Sequence, residues 1–201
     1  GLSKVFAGIV IAPIGGLIVG LLLTGLIITI FAKRKPAPVN KIFGKLQIIS
    51  SAWFALTHGA NDGQKTMGII ALILFSSGLI PNFEIPLWVI FAAATAMGLG
   101  TFFGGYKVIK TLGVKITRLR PYQGFAAETG GGLMLAAFAV LGIPASTTHA
   151  ITGTIMGAGA ARRKLAVRWK VSRQIIFSWI ITIPGAAGMG IGFTYLIHLF
   201  V

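Results

Sequence analysis

The apolar positions of this chain come in long runs, and the polar residues are gathered into short inserts between them. A helix rises 1.5 Å per residue, so about 20 apolar residues cross about 30 Å of hydrocarbon. Val5 to Ala32 exceeds that length, interrupted only by Pro13 and several glycines, and predicts a first crossing. Lys33 to Lys41 ends it, because Pro36 and Pro38 cannot extend a helical hydrogen-bond ladder. Lys45 to Ile80 is again mostly apolar, but as one straight helix it would be about 54 Å long. The insert Thr57-His58-Gly59-Ala60-Asn61-Asp62-Gly63-Gln64-Lys65 therefore predicts a broken helix, with Gly59 and Gly63 at the break. After the turn Pro81 to Pro86, Leu87 to Phe103 supplies another span, and Ile175 to Val201 a last one. Between these two lies Pro121 to Ala161, whose apolar arms flank Gly142-Ile143-Pro144-Ala145-Ser146-Thr147-Thr148-His149.

Composition turns this pattern into a membrane assignment. Of 201 residues 55% are hydrophobic and only 10% charged, against roughly 25% in soluble proteins, so the surface faces lipid. The net charge of +15 does not indicate nucleic acid, since the basic residues interrupt apolar runs and do not stud a polar surface. The absence of Cys excludes disulfides, thiolate metal sites and Cys nucleophiles. All of the 18 basic residues except Lys4 and Lys65 fall in three clusters, around residues 33–45, 107–120 and 162–173. The positive-inside rule places these clusters in the cytoplasm and the turn Pro81 to Pro86, which lacks Lys and Arg, outside. The segment between the second and third clusters must then begin and end on the same side. It is a hairpin, and its Ser/Thr-rich tip favours a re-entrant one over a double crossing, because hydroxyls gain little by turning in bulk water. The expected architecture is an all-α polytopic membrane helical bundle with a broken helix and a re-entrant helical hairpin, a single transmembrane domain over residues 1–201. The 28 glycines, including the pairs Gly16/Gly20, Gly100/Gly104, Gly153/Gly157 and Gly188/Gly192, mark close helix packing.

Ionisable side chains at membrane depth are costly and are kept when paired, hydrated or functional. Asp62 and Lys65 are spaced to share a helix face and pair, and Asn61, Gln64, Thr57 and His58 crowd the same residues, more polarity than one ion pair requires. Pro144 ends one helix of the hairpin, and Ser146, Thr147 and Thr148 can cap the next with hydroxyls and amides. Such an N-terminus beside a lysine suits an oxyanion such as phosphate or sulfate, with Asp62 serving a coupling cation or proton. Glu128, on the first arm of the hairpin, is either a proton or cation carrier or a strut. His149 and His58 are candidate proton carriers, His198 lies near the interface, and Glu84 sits in the external turn. No paired acids, Walker loop or nucleophile set points to an enzyme, and no ligand cluster to a resident metal.

Residues 58–65, His-Gly-Ala-Asn-Asp-Gly-Gln-Lys, followed by Gly-Ile-Pro-Ala-Ser-Thr-Thr-His at 142–149, resemble the motifs of the inorganic phosphate transporter (PiT) family. The segment with Gly124, Phe125 and Glu128 ahead of the second motif fits the same family. The family is built from two inverted repeats, each with one motif of each kind, and this chain carries one of each. The continuation Gly63-Gln64-Lys65 is similar to the C-terminal repeat of bacterial members, which makes the chain one half of an inverted-repeat transporter with the N-terminal repeat absent. The resemblance implies cation-coupled symport of inorganic phosphate across a bacterial plasma (inner) membrane. It implies phosphate contacts from Asn61, Ser146, Thr147 and Thr148, and a coupling ion at Asp62. Lys65 is a departure from related members, where the position is often uncharged. An ammonium there either neutralises the anion or replaces a bound Na⁺, which favours H⁺ over Na⁺ as the coupling ion, with phosphate alone or complexed to a divalent metal. No cofactor is implied beyond the coupling ion. Competing readings are a non-transporting fragment or assembly module of a split transporter, and an anion channel. A homo-oligomer would regenerate the second half-site only if two copies took opposite orientations, against the basic bias.

Overall fold

The computed structural model describes residues 2–163 and 166–198. Lys164 of the third basic cluster and the end of the last predicted span lie outside the described residues. The elements are helices α1 (Leu2–Ile30), α2 (Pro36–Ser76), α3 (Leu87–Lys110), a π-helical turn (Thr111–Ile116), α4 (Pro121–Val140), α5 (Thr147–Ala160) and α6 (Trp169–His198). Among the described residues three stretches, Ser3–Ile30, Leu87–Tyr106 and Trp169–His198, are long and apolar enough to cross a membrane, in agreement with the apolar runs there. The chain divides into two compact units, Gly1–Val167 and Arg168–Val201. The second consists of α6, which carries Pro184 inside it.

In the first unit α1 packs along α5, and glycines set the distance. A Cβ on Gly16 would stand 2.6 Å from the Ala150 carbonyl oxygen, and one on Gly157 would run into the carbonyl of Leu17. Small residues at four-residue spacing thus let two backbones touch, which is how helices associate where lipid removes the usual hydrophobic drive. The predicted close packing does not extend to every such pair: nothing lies within 4 Å of a Cβ on Gly100 or Gly104. On α4, Gly130 abuts Val19 and Leu23 of α1, while Gly131 and Gly132 abut Phe54 and Trp53 of α2. Three consecutive glycines therefore let α4 lie between two helices.

The expected break in α2 is absent. The helix runs without interruption through residues 57–65 and is 41 residues, about 60 Å, long. Its buried residues Val39, Phe43, Ser50 and Asn61 keep one helical face across the insert. The physical reason is a balance of costs. Gly59 and Gly63 each disfavour helix by about 1 kcal/mol, whereas each backbone group left unpaired in an apolar surround costs several. The polar side chains satisfy one another without opening the ladder. The excess length lies at the N-terminal end, where Pro36, Asn40, Lys41 and Lys45 form a polar extension beyond the apolar run.

The break at Pro144 is present, and α4 and α5 form a helical hairpin. Gly142 takes φ +60°, a left-handed conformation that glycine adopts freely, and Ile143 N donates to Phe138 O at 2.9 Å, closing α4. Ser146 then caps α5, its Oγ accepting from His149 N at 3.4 Å. The tip packs against the N-terminal part of α1 at Gly8, inside the span Ser3–Ile30. Ala12, Leu135, Phe138, Ala145 and Ala150 form a buried cluster there, with Phe54, Met134 and Ile143 against it. At the hairpin's other end the buried Gln123 Nε2 donates to Ala158 O at 2.7 Å, fastening the two arms together.

Candidate functional site

Asp62 is the point at which the two sequence motifs meet. It lies on α2 with His58 one turn before it and Lys65 one turn after. His58 Nε2 is 3.2 Å from Asp62 Oδ2, and Lys65 Nζ is 2.9 Å from Oδ1. These are the i, i+4 and i, i+3 partners that a continuous helix brings together. The hairpin supplies the rest. Thr147 Oγ1, at the first turn of α5, donates to Asp62 Oδ2 at 2.9 Å. Lys65 Nζ also donates to Ala145 O at 2.7 Å, the carbonyl just before the Ser146 cap. The Lys65 ammonium is therefore held between a carboxylate on α2 and a main-chain carbonyl on the hairpin tip.

Packing positions these groups from behind. Phe54 belongs to the cluster under the tip and stacks on His58 with ring centroids 5.9 Å apart, so the apolar core fixes the imidazole beside Asp62. Asn61 and Thr147 are buried, Ser146 is half-buried, and Thr148 is exposed at the start of α5. Gln64, on the other side of α2, is exposed. Asp62, His58 and Lys65 keep between 31% and 42% of their side-chain surface open, so the cluster can be reached by a solute. The helix-end chemistry comes from α5 alone, because α2 has no break whose amides are free.

Two of the expected site residues lie elsewhere. Glu128 accepts from Ser50 Oγ at 2.6 Å and from Gln47 Nε2 at 3.3 Å, three turns along α2 from Asp62 and about 18 Å away by helical rise. Its carboxylate ties α4 to α2. His149 directs its side chain to the backbone of Ile9 on α1. The histidine beside Asp62 is His58, whose i, i+4 spacing was the available signal. The Ala145 carbonyl carried no side-chain signal at all.

A profile of the phosphate transporter family matches residues 1–190. The chain belongs to the phosphate transporter family. It is 48% identical over 188 residues, 93% of its length, to a probable low-affinity inorganic phosphate transporter of Rhizobium meliloti (strain 1021), covering 56% of that protein. It is 39% identical over 191 residues, 94% of its length, to a probable low-affinity inorganic phosphate transporter of Bacillus subtilis (strain 168), covering 57% of it. A solved structure described as the sodium-dependent phosphate transporter superposes with a TM-score of 0.64 at 35% identity, over 73% of this chain and 37% of that one. The chain thus spans about half the length of the curated relatives it matches. Members of the phosphate transporter family are integral membrane proteins, consistent with the three apolar spans found among the described residues.

Proposed function

We propose that this chain is one repeat of an inorganic phosphate transporter and supplies half of its substrate site, the other half coming from an N-terminal repeat. The observation that carries this reading is the joining of the two motifs through Thr147, Asp62, Lys65 and Ala145. In this arrangement the first amides of α5 and the exposed hydroxyl of Thr148 face the anion, with Asn61, Ser146 and Thr147 beside it. A helix N-terminus is a natural seat for phosphate because its amides lack intrahelical acceptors and its dipole favours negative charge.

The Asp62 carboxylate would repel phosphate if left alone. Lys65 cancels that charge, so the pair presents no net charge to the substrate. The same contact bears on coupling. A carboxylate and a carbonyl are ligands a small hard cation would use, and the ammonium already occupies the place between them. Coupling by H⁺ therefore fits the site better than coupling by Na⁺ bound at Asp62, although the related solved structure is described as sodium-dependent. His58, against Asp62, is placed to exchange a proton with the cluster. Transport then follows the usual scheme of two repeats rocking around a midplane site.

Phosphate uptake into proteoliposomes containing the full transporter tests the reading. A proton gradient should drive uptake equally in sodium and in choline buffers. Uptake that requires Na⁺ would remove the proton-coupled reading, and absence of uptake under both gradients would favour a non-transporting module.

A further inference from the structure

Where the span Ser3–Ile30 gives way to Lys33-Arg34-Lys35, a cavity of about 190 Å³ opens between the α1–α2 turn and the start of α4. It lies at the end of α1 opposite the hairpin tip. Its inner wall is apolar, made by Ile27, Ile28 and Phe31, and its polar part holds Arg34, Asn40, Arg120 and Tyr122. Among the described residues the two guanidiniums have no carboxylate to neutralise them. The chain contains three acids: Asp62 is held by His58, Lys65 and Thr147, Glu128 by Ser50 and Gln47, and Glu84 lies in the turn beyond α2. Asn40 Oδ1 is buried with no hydrogen-bond partner among the described residues. A buried amide oxygen without a donor is costly, and a ligand carrying a hydroxyl removes that cost.

These features specify one kind of ligand. Paired guanidiniums recognise a phosphodiester. The lone acceptor asks for a hydroxyl on the headgroup. The apolar wall, at the level where hydrocarbon ends, accepts the first methylenes of an acyl chain, and a tyrosine at this level is typical of the membrane interface. Inorganic phosphate would use the arginines and leave the wall exposed. We propose that the cavity bounded by Arg34, Asn40 and Arg120 is a binding site for an anionic phospholipid with a hydroxyl-bearing headgroup, of the phosphatidylglycerol class. The lipid sits in the leaflet at the basic end of the bundle and joins the α1–α2 turn to the base of the hairpin. It is distinct from the substrate site, since the hairpin separates the two along its length.

Native mass spectrometry of the full chain, reconstituted with phosphatidylcholine and increasing phosphatidylglycerol, measures retained lipid. The double variant Arg34→Gln/Arg120→Gln should lower phosphatidylglycerol retention about 30-fold, because it removes both charge-assisted contacts to the phosphodiester. The control Arg162→Gln/Arg163→Gln removes the same charge from another basic cluster that does not line the cavity, and should change retention less than about 3-fold because only screened, longer-range attraction is lost. Equal losses in both variants, or none in the first, overturn the site. The protein should prefer phosphatidylglycerol to phosphatidylmethanol, which lacks the hydroxyl, by about 5-fold, and Asn40→Leu should abolish the preference. Equal retention of the two lipids by the unaltered protein overturns the headgroup assignment. Displacement of phosphatidylglycerol by millimolar inorganic phosphate assigns the cavity to free phosphate and overturns the lipid.

Discussion

Replacing Lys65 by Gln separates the tethered-cation role of this residue from a purely structural one. The ammonium donates to Asp62 Oδ1 at 2.9 Å and to Ala145 O at 2.7 Å. Hydrogen bonds involving a charged group are each worth about 1.5–3 kcal/mol when dry, but 42% of the Lys65 side chain is exposed, so water recovers much of that. A net loss of about 1–1.5 kcal/mol remains, which weakens phosphate uptake about 5- to 13-fold in sodium-free buffer. The variant leaves the Asp62 carboxylate and the Ala145 carbonyl converging on the vacated position, where a monovalent cation can enter. Uptake by Lys65→Gln should therefore become stimulated by Na⁺, whereas uptake by the unaltered transporter should not respond to it. The assay is initial-rate uptake of labelled phosphate into proteoliposomes at fixed pH gradient, in matched sodium and choline buffers. A variant as active as the parent in choline and unresponsive to sodium would refute the idea that the ammonium holds a cation position.

Three other substitutions and one control probe separate links. Asp62→Asn keeps an acceptor for Thr147 but loses the charge that Lys65 and His58 gather around. It should abolish coupled uptake while the protein inserts normally, as read by surface expression and transport together. Glu128→Gln weakens the bonds from Ser50 and Gln47 and should destabilise the α2–α4 contact by about 1–2 kcal/mol, seen as a lower melting temperature in detergent. Gly157→Ala forces a methyl into the Leu17 backbone of α1, an overpacking worth about 1–3 kcal/mol or more, so folded yield should fall. Gly100→Ala, with open space at its Cβ, should express like the parent.

Residue type and spacing foretold those parts of the fold that depend on local chemistry. The apolar runs gave the spans of α1, α3 and α6, Pro144 located the hairpin turn, Ser146 read as a cap, and Asp62 with Lys65 read as a pair. The polarity of residues 57–65 misled on α2, because the same spacing that pairs His58, Asp62 and Lys65 lets the helix continue through them. Contacts between distant segments left no local trace. Nothing near Glu128 in the chain announces Gln47 and Ser50, and nothing near His149 announces Ile9. Ala145 contributes through a carbonyl that every residue possesses, so only its position after Pro144 gives it a role.

The shared site is tested most directly by substrate protection of single thiols introduced into this chain, which contains no cysteine of its own, with any cysteine of the other repeat replaced. Thr148→Cys places a thiol at the exposed start of α5, and Gln64→Cys places one on the side of α2 away from the tip. Phosphate should slow modification of Thr148→Cys by a membrane-permeant thiol reagent severalfold in the full transporter and leave Gln64→Cys unaffected. Modification of Thr148→Cys at the same rate with and without saturating phosphate would place the anion away from the hairpin tip and contradict the joint site of α2 and α5.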